Sequence, residues 1–211
     1  MDDMDGFETA RSLALHGCRV ILACRSLDKA NDAISKILTE KPSAQCIAME
    51  LNLCRLKSVK KFAEEYQKKF RSLNILVLNA GVFGLGFSHT EDGFETTFQV
   101  NHLAHFYLTL QLENALIKGA KLFARVVVVS SESHRINKQQ GAATSIYCAT
   151  SLDLSLPVSG SYFNNCCRCP PSKAAQDEAL ATKLWKLSEE MIQSVVSTWL
   201  EETTERGEVV F

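Results

Sequence analysis

The sequence has almost no charge imbalance and no long apolar run, and each absence excludes a class of function. Its 211 residues carry 23 basic and 24 acidic side chains, which gives a net charge of −1. A chain without a basic surface is not expected to bind nucleic acid or an anionic membrane as its main partner. The longest uncharged stretches, residues 74–90 and 96–112, are interrupted by polar residues, so the sequence predicts no membrane span.

The first residues do not resemble a secretory signal, because Met1 to Asp5 contain three aspartates where a signal has basic and then apolar residues. We therefore expect no export. The eight cysteines are scattered along the chain, and only Cys166, Cys167 and Cys169 lie close together. Zinc sites favour two spaced pairs of ligands, so we predict reduced thiols, no metal site and a cytoplasmic location.

Apolar residues recur with a helical period in some segments and form short unbroken runs in others, and the two kinds of segment alternate. The predicted elements are helix 6–16, strand 20–24, helix 27–39, strand 46–51, helix 57–70, strand 74–78, helix 95–118 and strand 125–129. This alternation predicts an α/β fold with a doubly wound parallel sheet. The four consecutive valines, residues 126–129, predict a strand buried on both faces. Beyond residue 135 we predict a helix at 139–149, a short strand at 160–163 and a long helix from Pro170.

Three short motifs lie at the ends of predicted strands or in a predicted helix. Asn79-Ala80-Gly81 follows one strand, Asn101-His102-Leu103 lies in the next helix, and Val129-Ser130-Ser131 ends the valine strand. In this order and spacing they resemble the short-chain dehydrogenase/reductase family, over about residues 6–194. The resemblance implies a Rossmann-like domain, NADP as cofactor, and an alcohol or carbonyl substrate of steroid or retinoid type.

The resemblance also implies roles for two catalytic residues. Ser131 matches the serine that hydrogen-bonds the substrate oxygen while charge develops on it. Asn101 matches the asparagine that holds a water molecule and the active-site helix. Each residue has a simpler interpretation, Ser131 as a strand-end hydroxyl and Asn101 as a residue that caps or turns the backbone.

Four residues match the adenosine side of the family's cofactor site. Asn79, Ala80 and Gly81 match the loop that packs there, and glycine lets the backbone approach closely. Asn79 as a simple turn residue remains the alternative. Asn52 stands where the family has an aspartate beside the adenine, so that contact is altered.

Two residues match the phosphate side of the same site. Arg25 follows the strand 20–24, where the family places a base for the 2′-phosphate of NADP, and an ordinary solvated cation is the alternative. Gly6 is the one match to the family's glycine-rich turn, whose amides hold the pyrophosphate. The aspartates around Gly6 would repel phosphate, so we expect NADP binding to be weakened.

The family's catalytic Tyr-x-x-x-Lys pair has no match in this sequence. In the family, the lysine lowers the tyrosine pKa so that the hydroxyl can exchange a proton with the substrate. The residues four positions after Tyr66, Tyr107, Tyr147 and Tyr162 are Phe, Gln, Ser and Cys. The sequence passes directly from Arg135 to a segment that lies well beyond this pair in the family. An internal deletion explains this loss better than point substitutions.

The resemblance predicts an incomplete sheet. The family's strand order is 3-2-1-4-5-6-7, and this sequence has no counterpart of the first or the sixth strand. We expect unpaired edges on the strands 20–24 and 74–78, and a last strand at 160–163 without its neighbour. The chain would form one partial domain, with residues 1–135 as a remnant of the dinucleotide-binding part and residues 136–211 as C-terminal helices and a short strand.

These expectations lead to two hypotheses on function. The first is a truncated NADP-dependent oxidoreductase with little or no activity, because general acid–base groups typically contribute about 10²- to 10⁴-fold in rate. The alternative is a non-catalytic interaction or regulatory fragment that binds protein partners through exposed strand edges. The resemblance alone implies a signalling or apoptosis role, and a nuclear or mitochondrial location beside the cytoplasmic one.

Overall fold

Strands and helices alternate along the first two thirds of the molecule, as predicted. The computed structural model describes residues 4–130, 138–155 and 158–205. The described helices are α1 (Met4–Leu15), α2 (Leu27–Glu40), α3 (Leu56–Lys69), α4 (Thr96–Phe98), α5 (Ala104–Gly119), α6 (Lys138–Thr150) and α7 (Glu178–Glu205). The described strands are β1 (Arg19–Cys24), β2 (Gln45–Glu50), β3 (Ile75–Leu78), β4 (Arg125–Val128), β5 (Tyr162–Asn164) and β6 (Cys167–Cys169). A π-helical segment, Gln99–Leu103, joins α4 to α5, and 3₁₀ turns lie at Leu152–Ser155 and Ala174–Gln176.

Amphipathic sequence and capping residues explain where α2 and α3 form. The Ser26 hydroxyl accepts a hydrogen bond from the Lys29 amide at 3.4 Å and caps α2. The Asp92 carboxylate accepts from the Leu56 amide at 2.7 Å, so a later loop completes the start of α3. The buried side chains of α3 recur every three or four positions and face the core; they are Leu56, Val59, Phe62, Ala63 and Tyr66.

The strands form separate two-stranded sheets. β1 pairs in parallel with β2, β3 pairs in parallel with β4, and β5 pairs antiparallel with β6. Among the described strands, β1 and β3 are each paired on one edge only, which confirms the predicted unpaired edges. α1 packs against β1, and its first turn meets Asn79 just after β3. The result is an incomplete α/β domain of Rossmann-like type.

Two predictions about the strands are wrong. β4 is not buried on both faces, since Val126 is 43% and Val128 is 67% exposed. In the described part of the chain β4 has one strand neighbour, and the face with these valines has no covering layer. The last strand is not without a neighbour, because Asn165 and Cys166 adopt positive φ angles and turn β5 back to pair with β6.

The core lies where α3 and α5 pack over the strands. Its buried members come from five elements or their flanks and include Met49, Val59, Leu78, Leu112 and Ile192. Gly119 lets the end of α5 approach the chain before β3, since a Cβ atom there would lie 2.0 Å from the Leu73 carbonyl oxygen. Asn74 reinforces this contact, because its Nδ2 donates to the Gly119 carbonyl at 3.1 Å.

α7 covers part of this core and leaves the rest of its apolar stripe exposed. It is 28 residues long, and Ile192 on its inner face is buried. Leu180, Leu184 and Leu187, nearer its start, are each about half exposed. Among the helices of the described ranges, none is long and apolar enough to cross a membrane.

Candidate functional site

The carboxyl ends of β3 and β4 bring two of the three motifs to one edge. The Val129 amide donates to the Leu78 carbonyl at 3.1 Å, which extends the strand pairing by one residue. Asn79 and Ser130 follow directly, and Ala80 is exposed beside them. In open parallel α/β sheets this edge is where ligands bind.

Ser131 lies outside the described residues, as does Arg135. Its chain neighbour Ser130 is exposed directly after β4, at the edge where Asn79 leaves β3. The hydrogen bond to the substrate oxygen that the resemblance assigns to Ser131 therefore stays a prediction.

Asn101 fixes the loop that follows β3. Its Nδ2 donates to the Val82 carbonyl at 2.8 Å, and its Oδ1 accepts from the Val82 amide at 2.7 Å. A Cβ atom on Gly81 would lie 3.3 Å from Asn101 Oδ1, so glycine suits this close approach. Asn101 belongs to the π-helical segment Gln99–Leu103, and such bulges are frequent at functional sites. The structure brings Gly81 and Asn101 together, while the catalytic role of Asn101 stays a prediction.

Gly6 lies against Asn79, so the first turn of α1 reaches the same edge. A Cβ atom on Gly6 would lie 2.9 Å from Asn79 Nδ2. The free backbone amides of a helix start attract anions. Asp5, however, lies in the same first turn, and its carboxylate would repel a phosphate from the positive end of the helix dipole.

Arg25 and Asn52 come together at the carboxyl ends of β1 and β2. The Leu51 amide donates to the Cys24 carbonyl at 3.0 Å, and Arg25 follows as an exposed side chain. The Asn52 side-chain oxygen accepts from the Cys54 amide at 3.0 Å. This bond is an Asx-type turn ahead of α3, so it gives Asn52 a structural task besides the predicted contact with adenine.

A cavity of about 290 Å³ lies on the α3 side of Asn52. Its lining comes from residues 52–55 and 89–96, and Arg55 and Glu91 in that lining form an ion pair at 2.5 Å. Of the predicted cofactor residues that the structure describes, only Asn52 contributes to it. The cavity sits at the lower limit of small-molecule sites, which span roughly 300–1,000 Å³.

Tyr66 and Tyr107 are buried in the core. The Tyr66 hydroxyl donates to the Ser72 carbonyl at 3.0 Å, and burial raises its pKa. Burial likewise raises the pKa of Tyr107 to about 12. A tyrosine that exchanges protons with substrate needs a lowered pKa, so both shifts are in the wrong direction. The ring of Tyr147 contacts Phe163, and Tyr162 lies in β5.

A contact between the π-helical segment Gln99–Leu103 and α7 was not predicted from the sequence. His102 Nε2 lies 2.9 Å from Ser188 Oγ, and Ser188 itself donates to the Leu184 carbonyl at 2.8 Å. When the Ser188 hydroxyl donates to Leu184, it accepts from His102, and the imidazole proton is then on Nε2. Burial lowers the pKa of His102, and it lowers that of the neighbouring His105 to about 4. A serine within the apolar stripe of α7 is the signal that could have indicated this contact.

Comparison with known proteins points to the family that the three sequence motifs resemble. The family described as short chain dehydrogenase matches residues 6–151. The human WW domain-containing oxidoreductase is 38% identical over 273 aligned positions, which cover 89% of this chain and 65% of the relative. Bovine retinol dehydrogenase 12 is 44% identical over 133 positions, which cover 63% of this chain and 42% of that protein. The chain thus spans about two thirds or less of the length of these relatives.

Solved structures show the same fold at low sequence identity. A protein from Mycobacterium Paratuberculosis has a TM-score of 0.63 at 23% identity, with 90% of each chain covered. An alcohol dehydrogenase from the archaeon Thermococcus sibiricus, complexed with 5-hydroxy-NADP, has a TM-score of 0.52 at 20% identity, covering 69% of this chain and 62% of its own. The family match over residues 6–151 shows that the chain belongs to the short-chain dehydrogenase/reductase family.

Proposed function

We propose that this chain is a truncated form of an NADP-linked oxidoreductase, with little or no hydride-transfer activity on alcohols or carbonyls of steroid or retinoid type. Residues 1–135 would be the remnant of the dinucleotide-binding part, and residues 136–211 the C-terminal helices and short strand of the same partial domain. Packing of α6 against α1 and β4 supports one domain. The expectation that most of the thiols stay reduced favours the cytoplasm as its location.

The observation that carries this proposal is that no tyrosine of the sequence has the lysine partner that the family's proton donor requires. The chain has four of them, and none is followed by lysine at the fourth position. Burial of Tyr66 and Tyr107 raises their pKa values, so neither can replace the missing proton donor at neutral pH. Without that donor the substrate oxygen has no proton source of the family's kind.

Alignment lengths support an internal deletion. The alignment with the human oxidoreductase has 273 positions, whereas 89% of 211 residues is about 188 residues. About 85 aligned positions therefore have no residue from this chain. The alignment with bovine retinol dehydrogenase 12 has 133 positions, and 63% of this chain is about 133 residues. In this long stretch, the alignment therefore leaves essentially no position without a residue of this chain. A single missing block accounts for both lengths.

The residues present fit NADP only in part. On the adenosine side, Asn79 and Gly81 gather at the carboxyl edge of β3 with Gly6 and Asn101 close by, and Arg25 offers a cation after β1. On the pyrophosphate side, Asp5 stands in the helix turn that should attract phosphate. The chain is therefore expected to bind NADP weakly, and no catalytic step is assigned to it.

The experiment is a measurement of NADPH oxidation with retinal or a steroid ketone as carbonyl substrate. The wild-type chain and its Ser131→Ala variant should both give the rate of the buffer blank. A rate above the blank in the wild-type chain that disappears in Ser131→Ala would contradict the proposal. Circular dichroism of both proteins shows whether each is folded under the assay conditions.

A second candidate, a non-catalytic interaction fragment, is favoured by the exposed side chains of β4. Val126 and Val128 lie on a strand with one paired neighbour among the described strands. An extended apolar segment of a protein partner can add to such an edge through backbone hydrogen bonds. Binding of a partner or of a longer form of this protein, weakened by Val128→Lys and unchanged by Ser131→Ala, would favour this candidate.

A further inference from the structure

The tip of the β5–β6 hairpin carries a cysteine where glycine is favoured. Asn164 pairs with Cys167, so Asn165 and Cys166 form a two-residue turn with φ angles of 48° and 61°. Turns of this kind usually have glycine second, since a side chain disfavours the left-handed conformation. A covalent bond made by the Cys166 side chain would offset that backbone cost.

Cys166 rests on one face of α6. Its amide donates to Thr144 Oγ1 at 3.2 Å, and its Sγ atom lies 4.0 Å from the same oxygen. Cys148 follows Thr144 by four residues in α6, and such residues are neighbours on one helix face, with Cβ atoms about 5–6 Å apart. The rings of Tyr147 and Phe163 dock the hairpin to the same helix, with centroids 6.1 Å apart.

The electrostatics of Cys148 agree with this arrangement. Burial raises the pKa of its thiol, the neighbouring Cys166 raises it further, and Arg125 lowers it. The charge on one thiol affects the other only when the two groups lie close together. Arg125 holds this end of α6 in place, because its Nη1 donates to the Cys148 carbonyl at 3.0 Å.

We propose that Cys148 and Cys166 are a redox pair that closes to a disulfide and fastens the β5–β6 hairpin to α6. The oxidant is a low-molecular-weight disulfide of the glutathione class. The Cys166 thiolate attacks one of its sulfurs, displaces the first thiolate and forms a mixed disulfide. Cys148 then loses its proton to water and attacks Cys166 Sγ, which forms the protein disulfide and displaces the second thiolate. The cysteine pair loses two electrons and two protons, and the oxidant becomes two thiols.

Cys167 supplies the matched control. It is adjacent to Cys166 and exposed, but it lies in β6 opposite Asn164 rather than in the turn that contacts Thr144. Because Cys167 is exposed, its thiol is not expected to lie against the α6 surface that Cys166 contacts.

The test uses the full 211-residue chain, treated with oxidised glutathione near neutral pH. Free thiols are alkylated, and the protein is digested with trypsin and a protease that cleaves before aspartate. Trypsin leaves Cys148 and Cys166 in one peptide, because no lysine or arginine lies between them, and cleavage at Asp153 separates them. Mass spectrometry then finds the two halves joined only where a disulfide connects them.

The joined peptides are expected in the wild-type chain and in Cys167→Ser, with loss of the signal in Cys148→Ser and Cys166→Ser. Reduced glutathione should reverse the bond. The yield should fall several-fold when the chain is unfolded in urea before oxidation. Absence of joined peptides in the folded wild-type chain, their persistence in Cys166→Ser, or an equal yield from the unfolded chain would overturn the proposal.

Discussion

His105 makes the stability of this domain depend on pH. The residue is 7% exposed in the first turn of α5, and burial lowers its pKa from 6.5 to about 4. Between these values the unfolded chain binds a proton that the native chain does not, so the free energy of unfolding falls as the pH falls. For a single group with these two pKa values, the loss between pH 7 and pH 5 is about 2 kcal/mol, and it approaches about 3 kcal/mol near pH 4.

The control is His105→Gln, which removes the titration and keeps a side-chain amide that can donate to the Asn101 backbone. Urea unfolding followed by circular dichroism at pH 7, 6 and 5 gives the free energy of unfolding of both proteins. The wild-type chain should lose about 2 kcal/mol more than the variant over this range. His102, whose pKa burial also lowers, contributes in the same direction in both proteins. Parallel pH profiles for the two proteins would show that burial does not lower the pKa of His105.

Three single contacts can each be tested by one substitution and a matched control. Gly119→Ala should lower the free energy of unfolding in urea by about 1–3 kcal/mol, because the added Cβ would lie 2.0 Å from the Leu73 oxygen. The control Gly86→Ala places its Cβ in open space and should change this free energy little. Asp92→Ala should lower the free energy of unfolding by about 2 kcal/mol, since the Asp92 carboxylate accepts from the Leu56 amide and from the buried Gln99 side chain. The control Glu91→Ala breaks only an exposed ion pair and should lower it by less than about 1 kcal/mol. Asn101→Ala should speed hydrogen exchange of the Val82 amide, because the oxygen that accepts from this amide is lost. Asn101→Asp keeps an acceptor oxygen and should protect the amide. Equal exchange in the two variants would contradict the hydrogen bond between Val82 and Asn101.

The order of the elements and the position of the site were predictable because both depend on local pattern. Apolar runs such as residues 75–78 form strands, and the polar residues that follow them must emerge at the strands' carboxyl ends. The meeting of Gly6 with Asn79 and of Gly81 with Asn101 agrees with the positions that the family resemblance assigned. These contacts bring the predicted residues together without testing their roles.

Features that depend on distant partners were not predictable. Four valines in a row indicate a buried strand, but burial also requires a layer on each side, and Val128 is exposed because the described part of the chain supplies no such layer. β6 has only three residues, Cys-Arg-Cys, and forms because the turn at Asn165 and Cys166 places it beside β5. The bond between His102 and Ser188 joins residues 86 positions apart, so the serine in the apolar stripe of α7 indicates a buried hydroxyl but not its partner.

We propose that this chain keeps the outline of a short-chain dehydrogenase and binds NADP only weakly. The most direct test is thermal unfolding of the 211-residue chain, followed by circular dichroism with and without millimolar NADPH. A ligand that binds the folded state at about 100 times its dissociation constant stabilises that state by about 2.7 kcal/mol, which would raise the midpoint clearly. We predict a change in midpoint far below the one that this stabilisation would give, because weak binding leaves most of the chain without NADPH. A cooperative transition whose midpoint rises by the amount expected of tight binding would contradict this proposal.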